Sequence, residues 1–191
     1  MLSATKGTKP MQSWIHVIEW RATVRPDVPA LIDDRGARYS YADLLAALER
    51  HAGGWAGLGV RPGDRVAVVA KNSADFLVHA FAILRAGATP AFINWRLSAG
   101  ELAEVLALVE PAAIAADAEF TALVEGATST LVEGATPTLV DGVTSGPAET
   151  AATELTRKVV IGVTDGGEDA IPAGWTDGRT LTGEAPPPED R

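Results

Sequence analysis

Residues 59–97, GVRPGDRVAVVAKNSADFLVHAFAILRAGATPAFINWRL, decide the fold. They read as turn, buried strand, amphipathic helix and second strand. The run RVAVVA at 65–70 carries three valines, a composition suited to a strand covered on both faces. Asn72 or Ser73 can accept a bond from the first free N–H groups of the helix that follows. Phe76, Leu77, Ala80, Phe81 and Leu84 recur at three and four, which places them on one helical face. Gly87 supplies a permissive backbone just past the helix end. TPAFI at 89–93 is the next apolar strand, with Pro90 tolerated near its start. Strand, helix and strand at this spacing make a right-handed parallel crossover, so the class is α/β.

The same stretch, followed by Ser98, Ala99, Gly100, Glu101 and Leu102, resembles the N-terminal part of an adenylate-forming enzyme of the fatty-acid and aryl acyl-CoA ligase type. Those enzymes carry a GD-V-A stretch, then N-S, a helix, G-A, N-R-L and E-L, in this order. The upstream RPDVPAL at 25–31, GARYSY at 36–41 and LGV at 58–60 also sit where that family has them. The resemblance runs through roughly residues 11–120. It implies a parallel sheet flanked by helices, as in the N-terminal subdomain of these enzymes, with an early β-hairpin. It further implies an activity that uses ATP, Mg²⁺ and coenzyme A to turn a carboxylic acid into a thioester through an acyl-adenylate.

At 191 residues the chain is long enough for one domain with a real core, burying roughly 70% of its unfolded surface. Hydrophobic residues make up 47% and the mean hydropathy is +0.10, which fits a soluble globular protein. The net charge of −9 argues against a nucleic-acid partner. That charge is lopsided, with 12 basic and 11 acidic side chains in residues 1–116 against 4 and 14 in the remainder. The absence of cysteine removes disulfides, a thiolate nucleophile and Cys-based zinc sites. No apolar N-terminal run reads as a signal peptide, and no run approaches the ~20 residues that span a bilayer. The expected location is the cytoplasm.

Taken in order, residues 1–10 are expected to be flexible and residues 11–116 to form the α/β core. Residues 11–24 offer Trp14, Val17, Ile18 and Arg21 at helical spacing, with Trp14 and Trp20 read as core aromatics. Residues 30–33 and 37–40 flank Asp34, Arg35 and Gly36 as a hairpin. Ser40 and Asp43 form a capping box for a helix with Leu44, Leu45, Leu48 and Ala52 inward, running into Gly53 and Gly54. Ser98 and Glu101 form a second box, and Pro111 stops that helix before a strand at 112–116.

Residues 117–157 are read as an insertion. Within it LVEGATST (123–130), LVEGATPT (131–138) and LVDGVTS (139–145) repeat with a period of eight, as a tandem duplication in a surface loop would. The repeat is expected to add no strand and to be poorly ordered, although residues 120–127 allow a helical turn or two. Residues 158–170 are read as a returning strand, the last that the sequence marks convincingly, and its loop, and residues 171–191 as a Gly-, Pro- and acid-rich tail.

The chemistry that the resemblance implies has no residues here to carry it. Family members hold ATP phosphates on a Ser/Thr/Gly-rich loop ending in Pro-Lys-Gly. They add a Tyr-Gly-x-Thr-Glu motif, a ribose-binding Asp and a lid-domain lysine. Thr144, Ser145 and Gly146 match only the first letters of the loop, and the 191 residues stop where it would begin. No catalytic, cofactor-binding or metal-binding residue is therefore assigned, and no cofactor is expected for this chain alone.

Other candidates read as structural. His16, His51 and His79 lie on three different helices without the paired spacing of metal ligands. Asp33 and Asp34 belong to a turn, and Glu101 and Glu104 to a helix start. Gly166 and Gly167 lack the pattern of a dinucleotide loop. Asn94 and Arg96 follow a strand's C-terminal end, the edge where open α/β sheets bind ligands, yet a loop anchor explains them as well. Two readings remain: the N-terminal portion of an acid–CoA ligase, inactive alone, or a non-catalytic interaction module that keeps the half-fold. The partners these imply are a C-terminal ligase half or a second copy.

Overall fold

The structure, a computed structural model, describes residues 14–134, 157–162 and 171–185. Helix α1 (Trp14–Val24) leads into the antiparallel hairpin β1 (Pro29–Ile32) and β2 (Arg38–Ser40). Asp33 closes the hairpin turn, its Oδ1 accepting from the backbone N–H groups of Arg35 and Ala37, while Gly36 takes φ 91°. Helix α2 (Tyr41–Gly57) follows directly. Ser40 caps it, accepting from Asp43 N, and the Asp43 carboxylate accepts from Ser40 N in return. Asp therefore serves in the box as Glu usually does.

The deciding stretch folds as read. It gives β3 (Arg65–Val69), α3 (Ala74–Arg85) and β4 (Thr89–Phe92), with β3 and β4 parallel. Ser73 rather than Asn72 caps α3, and Gly87 holds φ 84°. Helix α4 (Ala99–Val109) starts on the Ser98–Glu101 box. It ends at Glu110 with φ 46°, because Pro111 disfavours right-handed helix in the residue before it. Strand β5 (Ala113–Asp117), a 3-10 turn (Ala118–Phe120), α5 (Thr121–Gly134), β6 (Lys158–Gly162) and β7 (Trp175–Asp177) complete the elements.

The five core strands form one parallel sheet in the order β4-β3-β5-β6-β7. Alternate residues serve opposite faces. Val66, Val68, Ala113, Ala115, Val159 and Ile161 pack against α2 and α3. Ala67, Val69, Ile114, Ala116 and Val160 pack against α4 and α5. The step from β3 to β4 runs one way with α3 on the first face. The steps from β4 to β5 and β5 to β6 run the other way, with α4 and α5 on the second. Crossovers of constant hand require that exchange of faces when the direction reverses.

Four expectations need correction. First, the core does not end at residue 116. Helix α5 takes in the first eight-residue unit and the start of the second, burying Val124, Ala127 and Thr128 and packing Leu123 and Leu131 against the second face. Leu123, Val124, Ala127 and Leu131 fall within one stripe about 100° wide, because a period of eight overshoots two turns of a 3.6-residue helix by only about 80°. The rest of the repeat lies outside the described residues.

Second, β6 is not the last strand. Residues 175–177 of the supposed tail pair in parallel with it, with Trp175 buried. Third, α2 does not stop at Gly53 and Gly54. They are interior residues at which the backbone of residues 181–183 lies directly on the helix, and a Cβ on Gly53 would sit 2.1 Å from Gly183 C. Fourth, Trp14 and Trp20 are not core residues, being 73% and 51% exposed. Ile15 and Ile18 face inward instead, and Arg21 lies over the rings of both Trp20 and Tyr41.

Candidate functional site at the sheet switch point

The connections out of β3 and into β5 run in opposite directions, which makes the crevice between their C-terminal ends the topological switch point, where open α/β sheets bind ligands. Lys71 follows β3 there, and Asp117 ends β5. Asp117 is 4% exposed. Its Oδ2 accepts the Lys71 backbone N–H at 2.8 Å, and its Oδ1 has no partner among the described residues. Burial, with Glu119 nearby, pushes its pKa up to about 6 against the opposing pull of that N–H. The Lys71 ammonium is already engaged. It pairs with Glu119 at 2.7 Å and lies 5.1 Å and 5.5 Å from the ring centroids of Trp95 and Phe120, which stack on each other.

Other acids gather along the same edge. Asp33 Oδ2 accepts from Ala74 N, tying the hairpin to the start of α3. Burial, then the Asp33 charge, raises the pKa of Asp75. The edge carries Asp75, Asp117 and Glu119, with Lys71 paired to Glu119 and Arg35 and Arg179 acting on the aspartates. Its lysine is committed to that ion pair, and no chemical step through a triphosphate is derived from the edge.

The residues singled out in the sequence fall as follows. Asn94 Oδ1 accepts the Arg96 backbone N–H at 3.1 Å, and the Arg96 guanidinium lies 4.0 Å from the Trp95 centroid. Both residues are exposed and shape the loop after β4. Glu101 serves its capping box, where bonds from Ser98 hold its pKa low. His16 stays on α1. His51 and His79 do come together, with ring centroids 4.5 Å apart between α2 and α3. Their separation of 28 positions gives no periodic signal; only the packing of α2 on α3 joins them. Among the described residues, no group of three His, Asp or Glu side chains is arranged to hold a metal ion. Gly166, Gly167 and residues 144–146 lie outside the described residues.

Lys71, Asp117 and Glu119 escaped the sequence reading. The signal was present in principle, since each lies just beyond an apolar strand run.

The fold is thus a doubly wound parallel α/β domain with its switch point between β3 and β5. The family described as AMP-binding enzyme matches residues 18–189, and the chain belongs to it. Among relatives, Triostin synthetase I of Streptomyces triostinicus is 53% identical over 55 residues, 29% of this chain and 10% of that protein. The 4-chlorobenzoate–CoA ligase of an Arthrobacter species is 33% identical over 97 residues, 50% of this chain and 19% of that protein. Among solved structures, a candidate long-chain-fatty-acid CoA ligase from Rhodopseudomonas palustris CGA009 superposes with a TM-score of 0.71 at 25% identity. That match covers 92% of this chain and 38% of the other. The chain therefore spans a minor part of the proteins it matches.

Proposed function

We propose that this chain is the N-terminal portion of an ATP-dependent acid–CoA ligase that activates a fatty or other carboxylic acid through an acyl-adenylate. The observation that carries the reading is the family match across residues 18–189, joined to a superposition that covers 92% of this chain and only 38% of its structural neighbour. The parallel sheet supplies one wall of such an enzyme. The phosphate loop and lid lysine are not among the 191 residues, so the chain alone turns over no substrate. Its place on this reading is the cytoplasm, and among the described residues no helix is long and apolar enough to cross a membrane.

The test is pyrophosphate release from ATP and Mg²⁺ with a panel of fatty and aryl acids. The 191-residue chain is expected to match the no-enzyme control, and turnover above it overturns the reading of inactivity. A second reading, a non-catalytic interaction module, draws on the sheet edge at β4, where Phe92 is 60% exposed. Size-exclusion chromatography with and without a separately expressed C-terminal ligase half separates the two. A monomer that ignores that half counts against the module.

A further inference from the structure

We propose that residues 178–185 form a proton-sensitive strap, latched onto α2 by the ring pair of His51 and His79 and released when that pair takes up protons. This goes beyond the ligase reading and does not depend on it.

The strap has three attachments. Its backbone lies on the helix at Gly53 and Gly54, a contact only glycines allow: a Cβ on Gly54 would fall 2.6 Å from Leu181 C, and one on Gly53 closer still to Gly183. Leu181 is buried in the core formed by α2, α3 and the sheet, and Ala185 packs against it. His51 Nδ1 lies 2.9 Å from the Leu181 carbonyl oxygen and donates to it. His79 then braces the arrangement from α3. Its ring contacts His51 on one side and stands perpendicular to the ring of Trp55 on another, and a Cβ on Gly178 would lie 3.0 Å from His79 Nε2. The two imidazoles are thus the filling between helix and strap.

That filling tolerates no charge. His79 is 3% exposed, and its Nδ1 is buried without a partner among the described residues. A proton placed there creates an unpaired buried cation beside a second imidazole. Burial, with His51 adjacent, drives the pKa of His79 down to about 3, and burial followed by Arg50 lowers that of His51 against the pull of the Leu181 carbonyl. The surrounding groups do not offset this. Arg50 on α2 opposes protonation of His51. Asp177 before the strap favours protonation of His79 but is held by Arg179 through bonds of 2.7–3.0 Å. Asp75 of α3 interacts with Arg179 rather than with the rings. Lys158 of β6 points to the opposite sheet face, where it meets Glu125. Lifting the strap exposes both imidazoles to water and restores an ordinary affinity for protons.

The sign follows from linkage. The closed state binds fewer protons than the open one below about pH 6.5, so opening is favoured as pH falls. For one imidazole released to its ordinary pKa, the opening equilibrium rises roughly 25-fold between pH 7 and pH 5.

Hydrogen exchange read by mass spectrometry, corrected for intrinsic rates at each pH, tests the latch on the full chain. Peptides covering residues 175–185 are expected to lose protection by roughly that factor between pH 7 and pH 5 while peptides of β3 and β5 keep theirs. His79→Phe keeps a ring in place without a titrating group and should flatten the profile. His51→Gln, which retains a donor toward Leu181, should reduce its slope and decides the question if His79→Phe does not fold. An unchanged wild-type profile, an equally steep profile in the variants, or loss of β3 and β5 protection at the same pH overturns the proposal.

Discussion

Trp175 Nε1 donates to Glu125 Oε1 at 2.7 Å, and the other carboxylate oxygen of Glu125 accepts from Lys158 Nζ at 2.9 Å. One side chain of the first repeat unit therefore joins α5 to both β6 and β7. Burial acts on Glu125 in the upward direction, but the Lys158 and Trp175 bonds prevail and hold its pKa low. Lys158 is largely buried, so removing its partner leaves a cation in poor surroundings. Glu125→Ala is expected to lower stability by about 1–2 kcal/mol, given that the carboxylate itself is half-exposed. At ~2–4 °C per kcal/mol, thermal melts should show a loss of roughly 2–8 °C. Glu104→Ala, on the exposed face of α4, is the control and should leave the melt in place. Equal melts for the two variants would mean that Glu125 anchors neither strand.

The glycines of α2 separate two physical effects in a single helix. Gly57 has nothing within 4 Å of the place a Cβ would occupy, so Gly57→Ala should stabilise by about 0.5–1 kcal/mol through helix propensity alone. Gly53→Ala should gain the same propensity and still lose stability, by about 1–3 kcal/mol net, because the methyl group meets the Gly183 backbone. Chemical denaturation of the two variants checks the sign of each. If both are stabilised, residues 181–185 do not rest on the helix in solution.

These contacts mark what a sequence can and cannot disclose. The strand–helix–strand unit at 59–97 was legible because its apolar period changes from continuous to helical and back within one short stretch. Both capping boxes were legible because a cap is local, needing only Ser40 with Asp43 or Ser98 with Glu101. β7 was not legible. Trp175, Thr176 and Asp177 are too short for a periodic signal and are a strand only because β6 offers an open edge. Gly53 and Gly54 looked like a helix stop because the backbone that lies on them comes from residues about 130 positions later. The switch-point residues share this difficulty, since Lys71 and Asp117 meet through parallel pairing of β3 and β5.

Asp117 gives a pH prediction whose sign differs from the usual carboxylate. Its pKa is raised in the folded state to about 6 from an ordinary 3.8, so the native chain holds a proton that the unfolded chain has released. The stabilisation is full below about pH 4 and declines as pH rises through 6. Asp117→Asn keeps an acceptor for Lys71 N and removes the titration. Between pH 4 and pH 7.5 the variant should gain on the native chain by about 2–3 kcal/mol, because each pH unit separating the folded and unfolded pKa is worth ~1.4 kcal/mol. Melting curves at the two pH values measure it. Curves that stay parallel would mean that Asp117 ionises normally.

The repeat permits a test in which two deletions yield nearly the same protein. Removing residues 131–138 joins LVEGATST to LVDGVTS, whereas removing residues 123–130 joins LVEGATPT to LVDGVTS. The products differ at one position, which carries serine in the first and proline in the second and coincides with Ser129 in the interior of α5. The first deletion restores Leu and Val at positions 131 and 132 from the third unit, so helix composition is retained and the connection merely shortens. Loop-closure entropy changes by under about 1 kcal/mol, and the melt should move by no more than roughly 2–4 °C. The second deletion places a residue without an N–H in the interior of α5, on its exposed side, and interior proline costs a helix ~3 kcal/mol or more. It should melt roughly 6–12 °C below the first. If the two deletion proteins melt together, α5 is not helical through position 129, and the loop reading of the repeat returns.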